Sequence, residues 1–255
     1  MPPSAVASRL RPFGTTIFAE MSALAVELGA INLGQGFPDS DGPREVLDIA
    51  IDSINSGLNQ YPPGNGMQVL REAIVQHQIR FYGVSYNCDT EVLVTAGATE
   101  AIAGALLGLL EPGDEVVLFE PMYDSYQACI ALAGAVSVPV LLQPPSYRPN
   151  MEALESAITE RTKILLINSP HNPTGMLLTR EEQQQIVRIA QQHNLVIISD
   201  EVYEHLVFDG QRHASIAEIP EARERSIVIS SGGKTFHTTG WKVGWAVGPA
   251  HLIAG

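Results

Sequence analysis

Short apolar runs and segments with helical spacing alternate along most of this chain. The short runs end in glycine, proline or polar residues and predict seven β-strands, at 92–94, 116–119, 136–142, 164–167, 195–199, 227–230 and 243–247. Helical segments between them cover 101–110 and 151–158, and a third begins at the Thr179–Glu182 capping box and runs to His193. Strands that alternate with helices are typical of an α/β fold with a mostly parallel sheet.

The part of the chain before the first strand is predicted to be helical with irregular connections. After an N-terminal arm, residues 13–28 mix apolar and polar positions without a clean period. Residues 43–57 predict a helix that begins with proline and ends with glycine, and residues 67–82 predict another. The intervening loop, 60–66, is rich in proline and glycine and exposes Tyr61.

Composition indicates a soluble globular protein. The 255 residues are 45% hydrophobic with a mean hydropathy of +0.08, and no apolar stretch approaches the roughly eighteen residues of a membrane span. The N-terminus lacks the apolar core of a secretory signal. Cys88 and Cys129 are too few for a disulfide framework, so we expect buried thiols in a reducing cytoplasm.

The net charge of −13 argues against nucleic acid as a partner, because no basic stripe offsets it. An anionic ligand must then be bound by individual groups in its site, because the overall charge of the protein repels it. The seven histidines show no metal-ligand spacing. His171 and His237 fall within motifs, and we expect a packing or polar role for each.

The segment 230–245, SSGGKTFHTTGWKVGW, holds two of the three lysines in the chain, against twelve arginines overall. Lysine, unlike arginine, can lose its proton when desolvated and attack a carbonyl as a free amine. We therefore predict Lys234 as a Schiff-base nucleophile and Lys242 as a phosphate partner, with solvated loop lysines as the alternative. A nucleotide-binding P-loop is excluded, because Val228 stands where that motif needs glycine.

Other candidate groups follow the predicted strands, at the edge where open α/β sheets bind ligands. The turn 97–100, with a helix after it, predicts an anion site. Tyr123 could stack on a flat ring or be purely structural, and Asp200 could meet a cation or cap a helix. Asn172, between two prolines, has a rigid backbone. Earlier in the chain, Gly34 and Gly36 permit either an ordinary turn or close approach of a ligand, without a dinucleotide fingerprint.

An amine, a carboxylate, a phenol, an amide, a flat aromatic ring and a phosphate cradle together suit a phosphorylated pyridine aldehyde. On these residues the chain resembles the class I/II aminotransferases, which are fold-type I pyridoxal-phosphate enzymes. It is similar to the branch with methionine, kynurenine and glutamine aminotransferases, cysteine-conjugate β-lyases and N-succinyldiaminopimelate aminotransferase. The motifs that carry the resemblance are NLGQGFPD, NQYPPG, TAGATEA, EPMYDSY, NSPHNPTG, SDEVYEHL and SSGGKTFHTTGWKVGW.

The resemblance implies a role for each matching residue. Lys234 would form the Schiff base with pyridoxal 5′-phosphate and shuttle a proton, while Asp200 would pair with the ring N–H. Asn172 and Tyr203 would hydrogen-bond the ring oxygen O3′, and Asn172 would also contact substrate. Tyr123 would stack on the ring, and Tyr61 would reach the phosphate of a neighbouring subunit. The phosphate would be held by Ala98, Thr99, Ser231 and Lys242. Gly36 and Phe18 would line the substrate pocket.

The resemblance also implies a fold, a domain division and a partner. It predicts a three-layer αβα large domain with a seven-stranded sheet at 41–255, and an arm with part of a small domain at 1–40. A homodimer with shared sites is implied. The family continues into a C-terminal small domain with a carboxylate-binding arginine, which this chain lacks, so we expect the chain alone to bind cofactor weakly and turn over little.

Three functions remain open at this point. The first is an aminotransferase that moves an amino group from an L-amino acid to a 2-oxo acid. The second is β-elimination from cysteine S-conjugates, which shares the first chemical steps. The third is an inactive cofactor-binding fragment.

Overall fold

A seven-stranded sheet runs through the centre of the computed structural model, which describes residues 5–34, 36 and 38–255. The strands are β1 (Val92–Ala96), β2 (Glu115–Glu120), β3 (Val136–Leu141), β4 (Thr162–Asn168), β5 (Val196–Asp200), β6 (Ser226–Ser231) and β7 (Val243–Val247). Their order in the sheet is β1-β7-β6-β5-β4-β2-β3. Strand β7 runs antiparallel to both neighbours, and the other pairs are parallel. All seven predicted strands are confirmed, each within two residues of its predicted bounds.

Three α-helices precede β1 in the described chain, and the others lie between or after the strands. They are α1 (Ile17–Leu28), α2 (Arg44–Asn55), α3 (Gln68–Tyr82), α4 (Ala98–Leu109), α5 (Ser125–Leu132), α6 (Met151–Ser156), α7 (Arg180–Gln192), α8 (Gly232–Thr235) and α9 (Ala250–Ile253). The capping box that starts α7 is present as predicted. Helices α5, α8 and α9 were not predicted, because short segments of small and apolar residues carry little helical period.

Helices cover both faces of the sheet, as a mostly parallel sheet requires. On one face α4 and α5 pack against alternate strand residues such as Val116 and Leu118. On the other, α3, α6 and α7 pack against the intervening residues, Val117 and Phe119. This alternation gives the predicted three-layer αβα architecture, with the core on both sides of the central strands.

The turn predicted at 97–100 is wrong in its extent. Only Gly97 turns the chain, with φ +82°, and α4 already begins at Ala98. The first amides of a helix have no partner within it, so those of Ala98 and Thr99 point out of the start of α4. The anion site predicted from this turn therefore lies on the helix itself.

Strand β7 determines how closely this helix start approaches the last strands. Gly244 pairs with Thr95 on one side and with Ser231 on the other. A Cβ atom at Gly244 would lie 2.4 Å from the carbonyl carbon of Gly97 and 2.5 Å from the amide nitrogen of Ala98. Only glycine fits at this crossing.

Some predictions fall outside what the structure tests. Residues 1–4, 35 and 37, in the predicted arm and glycine turn, lie outside the described residues. The division of the chain at residue 40 stays a prediction. Within the described part of the chain, no helix combines the length and the apolar character needed to cross a membrane.

The close crossing at Gly244 predicts a large effect for a single methyl group. Gly244→Ala should lower the free energy of unfolding by about 1–3 kcal/mol, because the atoms in its way are backbone. Urea unfolding measures this value.

Gly104→Ala, in the middle of α4, is the matched control. Nothing lies within 4 Å of its added Cβ, and the change should raise stability by roughly 0.5–1 kcal/mol through the helix preference of alanine. Equal stability of Gly244→Ala and wild type would contradict the crossing geometry.

Candidate active site

One cleft of about 550 Å³ opens at the edge of the sheet where β2, β4, β5 and β6 end. Because β7 is antiparallel, the residue before it, Lys242, reaches the same edge. Eleven of the twelve predicted site residues line this cleft: Phe18, Gly36, Ala98, Thr99, Tyr123, Asn172, Asp200, Tyr203, Ser231, Lys234 and Lys242. The twelfth, Tyr61, lies elsewhere and is 100% exposed. The structure thus brings together residues that are far apart in sequence.

An anion cradle forms one wall of the cleft. It consists of the N-terminal amides of α4, the end of β6 at Ser231 and the side chain of Lys242. The Cδ atom of Lys242 lies 3.6 Å from where a Cβ of Gly97 would be. Lys242 itself has φ +57°, a left-handed backbone that is uncommon for a residue with a side chain. Helix dipole and ammonium both favour a phosphate here.

Asp200 also lines the cleft, as the last residue of β5, and only 4% of it is exposed. One carboxyl oxygen accepts a hydrogen bond of 2.5 Å from the Tyr126 hydroxyl, and the other accepts one of 3.2 Å from the Val202 amide. Burial raises the pKa of Asp200 to about 6, and these hydrogen bonds oppose the rise. A buried carboxyl of this kind is completed by a cationic N–H partner.

Lys234 extends from α8, immediately after β6, into the same cleft. Its Nζ atom lies 5.2 Å from the centroid of the Tyr203 ring. Burial lowers the pKa of this amine, and the charge of Asp200 partly opposes the change. The amine is therefore easier to deprotonate than a solvated lysine, as nucleophilic attack on an aldehyde requires.

Asn172 and Tyr203 lie next to each other in the lining of the cleft. The Asn172 Nδ2 atom is 3.5 Å from the Tyr203 hydroxyl, and its backbone amide donates to Asn168 Oδ1 at 2.6 Å. Asn168 in turn donates to the carbonyl of Asp200 at 2.9 Å. This chain of hydrogen bonds fixes two neutral donors toward the cleft, since burial raises the pKa of the Tyr203 phenol.

Tyr123 completes the wall near the start of α5. Its ring meets the Tyr126 ring edge to face, with centroids 5.6 Å apart and planes at 87°. Burial raises the pKa of its phenol, and a hydrogen bond with the Thr99 side chain opposes that rise. The ring therefore stays neutral beside the anion cradle.

The two motif histidines are outside the lining of the cleft. His171 Nδ1 lies 2.8 Å from the Thr174 hydroxyl, and burial lowers the pKa of His171 to about 4. His237 Nδ1 lies 3.3 Å from the Ser40 hydroxyl. Both contacts agree with the polar role expected for them.

Sequence reasoning missed Tyr126 and Asn168. Tyr126 holds the buried carboxyl of Asp200, but a tyrosine three residues after Tyr123 carries no signal without the α5 helix on which Tyr126 lies. Asn168 could have been found, because it is the last residue of β4, as Asp200 is of β5. The expectation that ligand-binding groups lie at the carboxyl ends of the strands applies to both positions.

The groups present fit a phosphorylated pyridine aldehyde. The cradle of helix N-terminal amides with Lys242 suits a phosphate, the buried carboxyl of Asp200 suits a ring N–H, and the Lys234 amine suits an aldehyde. These three requirements come from different strands and meet in one cleft.

Comparisons with known proteins agree with this geometry. A protein described as a probable N-succinyldiaminopimelate aminotransferase of Mycobacterium tuberculosis is 58% identical over 250 residues, which cover 97% of this chain and 63% of that protein. A methionine aminotransferase of Escherichia coli is 46% identical over 247 residues, which cover 97% of this chain and 64% of that protein. The chain thus spans just under two thirds of the length of these curated relatives.

A solved structure gives the same result for the fold. The N-succinyldiaminopimelate aminotransferase from Mycobacterium tuberculosis superposes with a TM-score of 0.96 at 57% identity, over 98% of this chain and 66% of that one. The sequence model of aminotransferase class I and II, a family of pyridoxal-phosphate enzymes, matches residues 29–255. This chain therefore belongs to the class I and II aminotransferase family.

Proposed function

We propose that this chain carries the cofactor centre of a pyridoxal-phosphate-dependent aminotransferase that moves an amino group from an L-amino acid to a 2-oxo acid. The observation that supports it most directly is the cleft, where a desolvated amine, a buried carboxyl and an anion cradle occupy different walls. The cofactor, when bound, supplies an electron-accepting ring that stabilises negative charge at the substrate Cα.

Lys234 has two tasks in this proposal. Its Nζ would bind the aldehyde of the cofactor covalently, with loss of water, and when that bond is open the free amine would take up and return the proton at the substrate Cα. Both tasks need an unprotonated amine at neutral pH, so the burial that lowers the pKa of Lys234 serves both.

Asp200, Asn172 and Tyr203 hold the ring. The Asp200 carboxylate binds the ring N–H and keeps its positive charge, while Tyr126 and the Val202 amide orient that carboxylate. Asn172 and the Tyr203 phenol donate to the ring oxygen O3′, and their own contact of 3.5 Å keeps them adjacent. These residues bind and orient, and Lys234 moves the proton.

The remaining cleft residues position the cofactor and the substrate. The amides of Ala98 and Thr99, with Ser231 and Lys242, hold the phosphate, and Tyr123 covers one face of the ring. Gly36 and Phe18 line the cleft as well, and they and Asn172 would contact the substrate.

A homodimer with shared sites is part of the proposal. Tyr61 is fully exposed in the described chain, away from the cleft, on a loop next to α3. A tyrosine ring that is fully solvated in one chain suits contact with the phosphate of a second. Two free cysteines, one of them buried, suit the reducing cytoplasm.

The amino donor is proposed from the relatives. The 58% identity to the probable N-succinyldiaminopimelate aminotransferase, against 46% to the methionine aminotransferase, makes N-succinyldiaminopimelate the first donor to test. L-Methionine is the second.

Covalent labelling tests the role of Lys234 without relying on turnover. Borohydride reduction of the chain with pyridoxal phosphate should fix one cofactor on Lys234, identified by peptide mass spectrometry, because this amine is the desolvated one. Lys234→Ala should abolish the label.

Lys163→Ala is the matched control, since Lys163 lies near the start of β4 and is exposed. It should label like wild type. Label on Lys163 or Lys242 with Lys234 unmodified would overturn the proposal.

The buried carboxyl predicts a pH dependence in the cofactor-free chain. The pKa of Asp200 is about 6 when folded and 3.8 in its unperturbed state, so the folded chain binds this proton more tightly than the unfolded one. Its contribution to stability is therefore present at low pH and is lost as pH rises through that interval, on the order of 3 kcal/mol in all.

Urea unfolding from about pH 4 to about pH 7 measures the effect, with Asp200→Asn as the variant that cannot titrate. Wild type should lose stability relative to Asp200→Asn over this range. Added pyridoxal phosphate should recover the loss in wild type only, because the ring N–H then pairs with the carboxylate. Parallel profiles for the two proteins would contradict the assignment.

Product analysis separates amine transfer from β-elimination. Mixing the loaded chain with N-succinyldiaminopimelate or methionine, without a 2-oxo acid, should yield at most one 2-oxo product per bound cofactor and no ammonia. The reason is that an aminotransferase gives up the amino group only to a 2-oxo acid acceptor. Continued release of pyruvate and ammonia from a cysteine S-conjugate would support the lyase instead.

A further inference from the structure

A second cluster of chemically active side chains lies outside the cleft. His77 on α3, with Glu204 and His205 after β5, forms the one group of three potential metal ligands among residues 5–34, 36 and 38–255. One ligand atom from each lies within 4.8 Å of the others. Neither histidine nor Glu204 contributes to the proposed reaction. We infer that these three side chains form a binding site for a divalent metal ion of the zinc class.

The donor set suits such an ion. Two imidazoles and one carboxylate are common zinc ligands, and three protein ligands leave a fourth position for water. His77 Nε2 and His205 Nε2 lie 2.8 Å apart, and His77 Nε2 lies 3.7 Å from Glu204 Oε2. Tetrahedral bonds of about 2.0–2.1 Å place donor atoms about 3.3 Å apart, so the two rings need to separate by about half an ångström.

The carboxylate of Glu204 is buried without a strong cationic partner. Only 3% of Glu204 is exposed, and no lysine or arginine of the described chain pairs with it. Proteins pair a buried carboxylate or use it to coordinate a metal. The neighbouring Glu201 is a buried carboxylate with a paired partner, since His213 Nε2 lies 2.8 Å from it and both side chains are buried. Glu204 instead faces His77, whose side chain is 22% exposed, so an ion can enter.

The surroundings already orient the ligands, as the outer contacts of metal sites do. The Tyr82 hydroxyl donates to Glu204 Oε2, and the Ser230 hydroxyl donates to Oε1. Each carboxylate oxygen has a further lone pair for the ion. These contacts fix the carboxylate toward His77.

The other nitrogen of His77 also has a suitable neighbour. The Gln78 Nε2 atom lies 3.5 Å from His77 Nδ1, while the buried Gln78 Oε1 has no hydrogen-bond partner among the described residues. Rotating the Gln78 amide brings its Oε1 atom to His77 Nδ1, where it accepts a hydrogen bond from Nδ1–H. A histidine that carries its proton on Nδ1 binds a metal through Nε2. The rotation breaks no hydrogen bond of Gln78 Oε1.

The charge balance also favours a cation. Glu204 brings a carboxylate oxygen to 3.7 Å from Nε2 of His77, on α3. Arg80, on the same helix, opposes a cation but is exposed to solvent. The carboxylate is buried, and its ligand atom lies within 4.8 Å of those of both imidazoles, so its attraction dominates.

Titration with cobalt(II) and zinc(II) chloride tests the site. Calorimetry on the full chain should show one tightly bound Zn²⁺, and Co²⁺ should give the absorption of nitrogen and oxygen ligation without a thiolate band. His77→Ala and His205→Ala should each raise the dissociation constant at least about tenfold. His205→Gln, which keeps the size of the side chain, should do the same while the chain stays folded by circular dichroism.

His193→Ala is the matched control. His193 is also partly exposed and lies 3.6 Å from a carboxylate, that of Glu155, but it has no third ligand. This variant should bind Zn²⁺ like wild type. Unchanged affinity in the His77 and His205 variants, an equal loss in His193→Ala, or a thiolate band from Cys88 or Cys129 would overturn the proposal.

Discussion

The burial of one carboxyl group at the end of a central strand is the constraint on which the candidate site depends. Asp200 ends β5, between β4 and β6 in the sheet, and lies almost entirely out of water. A charge there is unfavourable unless hydrogen bonds and a cation compensate it. Tyr126 and the Val202 amide supply the hydrogen bonds, and the cleft leaves room for the cation. The core on both sides of the sheet maintains this burial.

The same sheet positions the groups that meet the other parts of a ligand. Parallel strands β4, β5 and β6 end at one edge, which brings Asn172, Asp200 and Lys234 together from distant parts of the sequence. The antiparallel strand β7 adds Lys242 at that edge, and glycine at position 244 lets the start of α4 come close. The directions of the strands, together with Gly97 and Gly244, thus bring an amine, a carboxyl group and an anion cradle into one site.

Much of this was predictable from sequence, and the reasons for the misses are physical. The central strands are buried on both faces and appear as short apolar runs, and the partly exposed edge strands β1 and β3 are short apolar runs too, so all seven were found. Polar residues after several of them marked the cleft. Tyr126 was missed because its function depends on a contact across the sheet edge with Asp200. The cluster of His77, Glu204 and His205 was missed for a related reason: α3 and the segment after β5 meet only in the folded chain, and histidine spacing in sequence cannot show that. The start of α4 was placed too late, because the residues of a first turn resemble those of a loop.

The position of β7 has a consequence for the order of assembly. Among the residues that the structure describes, strand β1 pairs only with β7, from Val92 against Val247 to Ala96 against Val243, so β1 has no strand neighbour until residues 243–247 have been synthesised. Pairing over so long a stretch of sequence raises the contact order and slows folding through the entropy of loop closure. On the ribosome, the sheet of β2 to β6 can form first, while the anion cradle must wait for β7 to insert. Binding competence is therefore acquired in a late kinetic step, after most of the hydrophobic core has already formed.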